Sequence, residues 1–378
     1  MKIVFFVIAT MALLLSACQS TVVTLTPTLP LQTHPQPTLS ETSAPTIEST
    51  LTPVPTSSPV SVNHPVIKDQ PGSLYDTMFI IPVGKNSIQY WGGDNPNMEI
   101  SGPNAFAVLP DGSFVIADLV GNRLWQYDLD GQLLKFTDLY SVGIEQVTDL
   151  RATSTELFLL EIRGERYRVN RLSFDGDLKA SYDIPKMFRI ENGLTGIAID
   201  CEGEVLLELA GGSDLYRLVD DQGNLNPANV RGDYYCNGKP YRVINPGPGK
   251  TPMVIAGSIR LGTQLTTGLG GFRLIDVLQN GSFYVLREDI VNDRIIKVDQ
   301  TIHYIGADGI QQGVARAPIA ENYYPIMRNL AVGSDGNVYA LLPQPDSIHI
   351  IRLNFYKSLN PLIPGAVEPL ITISMTNP

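Results

Sequence analysis

The chain has 378 residues, with 27 lysines and arginines against 38 aspartates and glutamates, and a formal net charge of −11. An acidic chain without a basic run is a poor match for nucleic acid or for an anionic membrane surface, so no nucleic-acid partner is predicted. The three cysteines and four histidines form no Cys-x-x-Cys or His-x-x-x-His spacing, which zinc sites typically use. No Gly-x-Ser-x-Gly or phosphate-binding glycine loop is present either.

The N-terminus has the pattern of an export signal. Lys2 supplies a positive charge, and an uncharged apolar stretch follows from Ile3 to Leu15. At roughly 13 residues this stretch is too short to cross an apolar layer of about 30 Å, which disfavours the alternative of a transmembrane anchor. A buried core helix is a second alternative, but the proline-rich tract that follows offers nothing for it to pack against. The pattern predicts a signal peptide over residues 1–17.

The apolar stretch ends in Leu15-Ser16-Ala17-Cys18, which resembles the lipobox of bacterial lipoproteins. The resemblance implies cleavage before Cys18, diacylation of its sulfur and anchoring in a membrane outside the cytoplasm. The location expected from it is the cell membrane or the outer membrane, because two or three acyl chains hold a protein stably at a lipid surface.

A tether is predicted to follow, over residues 18–68. The stretch from Gln19 to Val66 contains 9 of the 28 prolines and 11 threonines, with only two acidic groups, Glu41 and Glu48. Repeated prolines prevent a helix or a central strand and favour extended polyproline-II backbone. The composition predicts a disordered spacer, and a glycosylated stalk is an open alternative.

A single domain is predicted over residues 70–357, with a C-terminal tail over 358–378. Its first repeat runs from Gly102 to Asp118 as a strand, an Asp111-Gly112 turn and a second strand, and Asn122 to Asp128 forms a third. Asp-Gly between alternating apolar residues is a strong hairpin signal, and positive φ is expected at both turn residues.

The same module recurs, with turns near 112, 155, 203, 281 and 336. The interval from 203 to 281 is 78 residues, close to two repeats of about 39, which predicts a degenerate copy between 225 and 262. Six modules of three or four strands predict an all-β fold, a β-propeller of six blades. A β-sandwich also accommodates short strands but does not explain the period. The segment from Met78 to Trp91 is expected to pair with the last blade and close the ring.

The first copy, from Gly102 to Asp118 with Gly121-Asn122-Arg123-Leu124 after it, resembles the NHL-type propeller repeat. The later copies match it only loosely. Six residues after the turn glycine, or its equivalent, stand Asp118, Glu161 and Arg287, with Glu208 one residue out of register. If these positions face the axis, they predict an axial ligand site. Resemblance to the lactonase and arylesterase propellers implies that such carboxylates bind Ca²⁺ or a sugar. The alternatives are that Asp118 caps local backbone and that Arg287 neutralises a neighbouring acid.

The two remaining thiols, Cys201 and Cys236, are a candidate disulfide in an exported protein, and two buried free cysteines are the alternative. Two functional hypotheses follow. The first is a binding or scaffolding module for an unknown protein or saccharide, without a cofactor, which predicts an exposed aromatic patch that includes Trp91, Tyr323 and Tyr324. The second is a calcium-type hydrolase, lactonase or lyase, which predicts three or more axial carboxylates and stabilisation by Ca²⁺.

Overall fold

The computed structural model describes residues 64–92, 98–212, 214–225, 231–245, 251–263, 268–292, 296–326, 328–362 and 369–373. Pro59–Pro378 forms one compact unit. The predicted signal peptide, Cys18 and nearly all of the tether lie outside the described residues. Within the described part of the chain, no helix is both long and apolar enough to span a membrane.

Six antiparallel sheets form the blades of a β-propeller, which confirms the predicted fold class. Two strands precede the repeats, β1 (Ile67–Lys68) and β2 (Tyr75–Pro82). Blade 1 consists of β3 (Ala105–Val108), β4 (Phe114–Asp118), β5 (Arg123–Tyr127) and β6 (Leu133–Asp138). Blade 2 consists of β7 (Val147–Ala152), β8 (Glu156–Arg163), β9 (Arg166–Ser173) and β10 (Leu178–Asp183). Blade 3 consists of β11 (Leu194–Ile199), β12 (Val205–Leu209), β13 (Asp214–Val219) and β14 (Arg231–Gly232).

The degenerate copy predicted between 225 and 262 is blade 4. It consists of β15 (Tyr234–Cys236), β16 (Lys239–Ile244), β17 (Met253–Ala256) and β18 (Ile259–Gly262). Blade 5 consists of β19 (Gly268–Val277), β20 (Phe283–Asn292), β21 (Ile296–Ile305) and β22 (Gln311–Arg316). Blade 6 consists of β23 (Leu330–Val332), β24 (Val338–Pro343) and β25 (Ser347–Leu353). Two further short strands follow in the chain, β26 (Phe355–Tyr356) and β27 (Ile371–Thr372). Short 3-10 helices connect the strands at Leu139–Val142, Lys186–Phe188, Ile190–Asn192, Ala210–Gly212 and Ile319–Glu321.

Strands from both ends of the domain complete the ring. As the sequence predicts, a strand before the first repeat joins the last blade: β2 pairs antiparallel with β25. It ends at Pro82, so the segment from Val83 to Trp91 is outside the sheet apart from isolated bridges. Two short strands lie outside the predicted limits of the domain. β1 pairs with β26 on blade 5, and β27, in the predicted tail, pairs with β18 on blade 4.

The tight turns differ from the prediction in one respect. Only Gly112 takes positive φ (87°), and Asp111 does not. The Gly112 N–H donates to the Leu109 carbonyl, and the Leu109 N–H donates to the Ser113 carbonyl. This is a three-residue hairpin loop that ends in a left-handed glycine. The Asp111 carboxylate accepts from the Ser113 N–H (2.9 Å) and hydroxyl (2.7 Å), so its role is to cap the turn.

The apolar core lies between blades, because each twisted sheet buries both faces against its neighbours. All five residues of β4 are buried. Separate clusters fill the spaces between blades 6 and 1, 1 and 2, 2 and 3, and 5 and 6. A single larger cluster joins blades 3, 4 and 5.

The disc has two different faces. The turns between the first and second strands of the blades, near 112, 155, 203, 281 and 336, lie on one face, which we call the turn face. The first strands begin, and the second strands end, on the opposite face, which we call the loop face. β2 ends on the loop face because its last residue, Pro82, pairs with Ser347 at the start of β25.

Candidate functional site

Asp118 ends β4 and binds the loop that follows its own strand. Its Oδ1 accepts from the backbone N–H groups of Val120 (3.2 Å) and Gly121 (3.0 Å), and its Oδ2 accepts from the Trp125 indole (3.2 Å). Burial raises the pKa of the Asp118 carboxyl, against the opposing effect of these hydrogen bonds. Two of these contacts cap the backbone that follows β4, and the third binds a side chain of β5.

Glu161 and Arg287 occupy the equivalent place in blades 2 and 5 and are also buried. Glu161 accepts from the Asn170 amide at 3.0 Å, within its own blade. Arg287 forms a two-pronged ion pair with Asp289 on the same strand, at 2.7 and 2.8 Å. These contacts give each of the two side chains partners inside its own blade.

Cys201 and Cys236 are joined by a disulfide. Cys201 lies in the turn after β11, and Cys236 ends β15, so the bond links blade 3 to blade 4. A backbone hydrogen bond from the Cys201 N–H to the Tyr235 carbonyl (3.0 Å) reinforces the same link.

An aromatic groove opens on the loop face between blades 6 and 1. Trp91 is its most exposed aromatic residue, with 59% of its surface accessible. The backbone of Trp91 is fixed by reciprocal hydrogen bonds with Ser101, at 2.8 and 3.0 Å. An exposed tryptophan on a fixed backbone presents a large apolar surface to solvent.

The floor of this groove is held by tyrosines. The Tyr90 hydroxyl donates to the carbonyls of Gln344 (3.0 Å) and Ser347 (2.9 Å), which fixes the ring orientation. The Tyr90 ring lies 6.0 Å from the ring of Tyr323 and meets Tyr324 edge-on at 5.3 Å. Tyr324 is buried, so it supports the groove from beneath and is not part of its exposed surface.

Gly102 allows this tyrosine packing. A Cβ at this position would lie 2.6 Å from a ring carbon of Tyr90 and would also clash with Tyr324. The groove has a volume of about 620 Å³, and its polar rim includes Lys85 and Gln89. A concave aromatic surface with a few polar groups has the composition of a ligand-binding site.

A second cluster, which we call the axial charge cluster, joins three blades through ion pairs. It consists of Asp149, Arg151, Glu208 and Arg328, from blades 2, 3 and 6. A β-bulge precedes Asp149 in β7, and a second bulge, in β11, lies opposite Glu208. Such bulges re-aim the side chains that follow them.

Blade 2 is attached to blade 3 through this cluster. Asp149 Oδ2 accepts from the Ile197 N–H, and Arg151 Nε donates to the Ile197 carbonyl, both at 2.8 Å. The two side chains stand two residues apart on β7 and therefore point to the same side of the strand. Together they bind both backbone groups of one residue in the neighbouring blade.

Arg328, just before β23, crosses to the opposite blades. Its Nε lies 3.3 Å from Asp149 Oδ2, and its Nη2 donates to the Glu208 carboxylate. Gly196 provides the space for this crossing, because a Cβ there would clash with the Arg328 guanidinium and lie 2.6 Å from Asp149. The ion pairs are buried and charge-assisted, the strong class of hydrogen bond.

Of the residues in the axial charge cluster, only Glu208 lies near a position that the sequence repeat predicts to face the axis. A signal was present in the repeats: Val147-Thr148-Asp149-Leu150 and Leu194-Thr195-Gly196-Ile197 share a bulged threonine. In both copies the threonine hydroxyl donates to a carbonyl of the next strand, Leu160 (3.3 Å) and Glu208 (3.2 Å). Arg328, which pairs with Asp149 and Glu208, is not part of this threonine pattern.

A cavity of about 550 Å³ opens on the turn face beside blades 2 and 3, and its wall includes Arg151, Tyr234 and Asp276. Tyr234 donates to Asp276 at 2.9 Å. Burial raises the pKa of the Asp276 carboxyl, against the opposing effect of that hydrogen bond. In the described ranges, no three His, Cys, Asp or Glu side chains are grouped so that they could hold a metal ion.

No protein-family model matches the chain, and no curated protein matches it. Solved structures do match in fold. A streptogramin B lyase is 14% identical, with a TM-score of 0.40, and the match covers 74% of this chain and 100% of the lyase. Virginiamycin B lyase from Staphylococcus aureus is 15% identical, with a TM-score of 0.39, and covers 71% and 99%.

A third match is the PQQ-bound aldose sugar dehydrogenase from Streptomyces coelicolor. It is 12% identical, with a TM-score of 0.43, and the match covers 74% of this chain and 98% of the dehydrogenase. At these identities the likenesses concern the propeller fold alone.

Proposed function

We propose that this protein is a lipid-anchored, extracytoplasmic binding module that holds a saccharide in the aromatic groove of its propeller. The observation that carries the proposal is the exposed Trp91 ring beside Tyr90 and Tyr323. Pyranose rings present flat C–H faces that pack on aromatic rings, while their hydroxyls need polar partners. Lys85 and Gln89 on the rim supply such partners.

The supporting tyrosines favour a preformed site. Because Tyr90 is held by two hydrogen bonds and by Tyr324, little side-chain entropy is lost when a ligand binds. Tryptophan and tyrosine on such rigid supports are the residues that most often dominate binding energy. The lipid anchor and the tether would place this groove outside the cytoplasm, within reach of envelope or surface polysaccharides.

Tryptophan fluorescence tests the proposal directly. The chain has two tryptophans, of which Trp91 is exposed and Trp125 is buried. We expect solubilised cell-wall glycan fragments or surface polysaccharide to change the emission of the full-length Cys18→Ser protein. Trp91→Ala should weaken binding by calorimetry at least tenfold, equivalent to about 1.4 kcal/mol.

Tyr140→Ala is the matched control, because Tyr140 is equally exposed (61%) but lies in the 3-10 helix after blade 1. It should bind as the parent protein does. Equal affinities of the Trp91→Ala and parent proteins would contradict the groove as the site. If no saccharide changed the fluorescence, the choice of ligand class would be wrong.

A further inference from the structure

Lys85 distinguishes the wall of the aromatic groove from the rest of the surface. Among the residues that the structure describes, it is the one charged side chain in that wall. The chain as a whole carries a formal charge of −11. A groove with one positive and no negative group in its described wall is therefore opposite in sign to the protein as a whole.

The Lys85 ammonium has neither an ion pair nor a hydrogen bond within the described part of the chain. Two other lysines show the contrast, since Lys135 pairs with Asp175 (3.1 Å) and Lys357 pairs with Asp69 (2.6 Å). No ion pair in the described protein explains the charge of Lys85, and that charge is available to a ligand in the groove.

The backbone of Lys85 is fixed, although its side chain is exposed. It belongs to a short loop whose first residue is held by a hydrogen bond from the Val83 N–H to the Asp346 carbonyl, at 2.9 Å. The Gly84 N–H donates to the Ile88 carbonyl, also at 2.9 Å. Ile88 is fully buried, so the loop is anchored in the core and keeps Lys85 at the rim of the groove.

We propose that the saccharide in the aromatic groove is acidic, with a carboxylate or phosphate group that pairs with Lys85 while a sugar ring stacks on Trp91. This inference rests on the proposed function and narrows its ligand class. The ammonium group of lysine is a compact point charge with three rotatable donors, so it can pair with either anion. The described wall of the groove supplies no competing negative charge.

The negative charge of the whole protein does not exclude such a ligand. At physiological ionic strength, interactions between exposed charges more than about 8 Å apart are largely screened. Asp346 follows a wall residue, Pro345, but is not itself in the described wall, and its carboxylate accepts from the Ser347 hydroxyl at 3.1 Å. The charge inside the groove should therefore outweigh that of the distant surface.

Calorimetric titration of the full-length Cys18→Ser protein with two matched pairs of probes tests the inference. One pair is oligogalacturonate and its neutral methyl ester, and the other is a phosphorylated mannan oligosaccharide before and after phosphatase treatment. We expect the charged member to bind about fivefold more tightly, as for an exposed ion pair of about 1 kcal/mol. This preference should shrink as the salt concentration rises. A preference in the first pair alone assigns a carboxylate, in the second pair alone a phosphate, and in both pairs either anion.

Lys85→Met should bring the affinity ratio of charged to neutral probe to about one, and Lys85→Arg should retain the preference. Lys239→Met is the matched control. Lys239 is an exposed lysine of blade 4, without an ion pair among the described residues, and its substitution makes the same change in net charge. It should leave the ratio unchanged, whereas a general effect of net charge would lower the ratio in both methionine variants.

The inference is overturned if the parent protein binds the charged and neutral members of both pairs equally. It is also overturned if Lys85→Met keeps the preference of the parent protein. In either case, a loss of affinity in Trp91→Ala would leave the proposed saccharide groove in place. If neither member of either pair binds, the proposed function fails and this inference falls with it.

Discussion

In the centre of this protein, contacts between blades decide which residue type fits at a given position. Gly196 is the clearest example, since it lies in a strand, where glycine is unfavourable, and its missing Cβ leaves room for the Arg328 guanidinium. Gly271, in the equivalent strand of blade 5, has no such neighbour; its nearest contact would be the Glu288 Cβ at 3.7 Å. The two glycines look alike in the sequence but have different reasons to be there.

His303 is a buried residue whose titration should be visible in stability. Its Nδ1 lies 2.8 Å from Gln311 Oε1 and its Nε2 lies 3.1 Å from Thr301 Oγ1. Burial lowers the pKa of His303 from 6.5 to about 4, against the opposing hydrogen bond with Gln311 and with a smaller lowering effect from the charge of Arg287. The unfolded chain therefore binds a proton at a pH where the folded protein does not.

The contribution of His303 to the free energy of unfolding should be complete above pH 6.5 and decline as the pH falls towards 4. The loss should be on the order of 3 kcal/mol across this window. Urea unfolding at several pH values measures it, with His303→Gln expected to remove this part of the pH dependence. Identical slopes for the His303→Gln and parent proteins would contradict the prediction.

At the scale of elements, the hairpin turn is repeated more faithfully than any strand sequence. The three-residue loop seen at Asp111-Gly112 recurs at Gly281 and Gly336, where the glycine N–H donates to the residue three positions earlier. Asn280 and Asp335 cap these turns as Asp111 does, through the N–H of the residue after the glycine. The preserved feature is one left-handed glycine preceded by a short acceptor side chain, which explains why Asp-Gly and Asn-Gly interchange.

The closing strand β2 should contribute strongly to stability through one of its two faces. Ile81 is 2% exposed and pairs with Ile348, whereas Ile80 is 56% exposed on the same strand. Ile81→Ala should lower the free energy of unfolding by about 2–5 kcal/mol, since it leaves a cavity between blades 6 and 1. Ile80→Ala, as the control, should change it by less than about 0.5 kcal/mol. Chemical denaturation measures both values, and equal effects would show that β2 does not close the ring in solution.

At the scale of the whole molecule, we expect the propeller to fold without the proposed lipid anchor. Cys18→Ser should move the protein from the membrane fraction to the soluble extracytoplasmic fraction, still folded, because the acyl chains are the only predicted attachment. Fractionation with high-salt and carbonate washes measures this. The parent protein and a Cys201→Ser variant should both stay with the membrane. Retention of the Cys18→Ser protein after both washes would contradict the lipoprotein interpretation.

The sequence by itself determined the repeat, the six blades and the closing strand, because alternation and turn chemistry act between residues close along the chain. It also named Trp91 and Tyr323 as exposed candidates, but it placed Tyr324 with them, and that ring is buried below Tyr90. The burial of a ring depends on which loop packs over it, and that loop can be distant in the chain, so local sequence patterns do not reveal it.

Only the tertiary structure decided the contents of the centre. Arg328 and Glu208 are 120 residues apart in the chain and meet because the ring closes. Asp118, Glu161 and Arg287 occupy equivalent positions of the repeat, and the contacts of each include a group in its own blade, respectively Gly121, Asn170 and Asp289. The periodicity specifies where each strand ends. The β-bulges and the asymmetry between blades decide which side chains reach the axis, since a shift of one residue turns a side chain to the other face of its sheet.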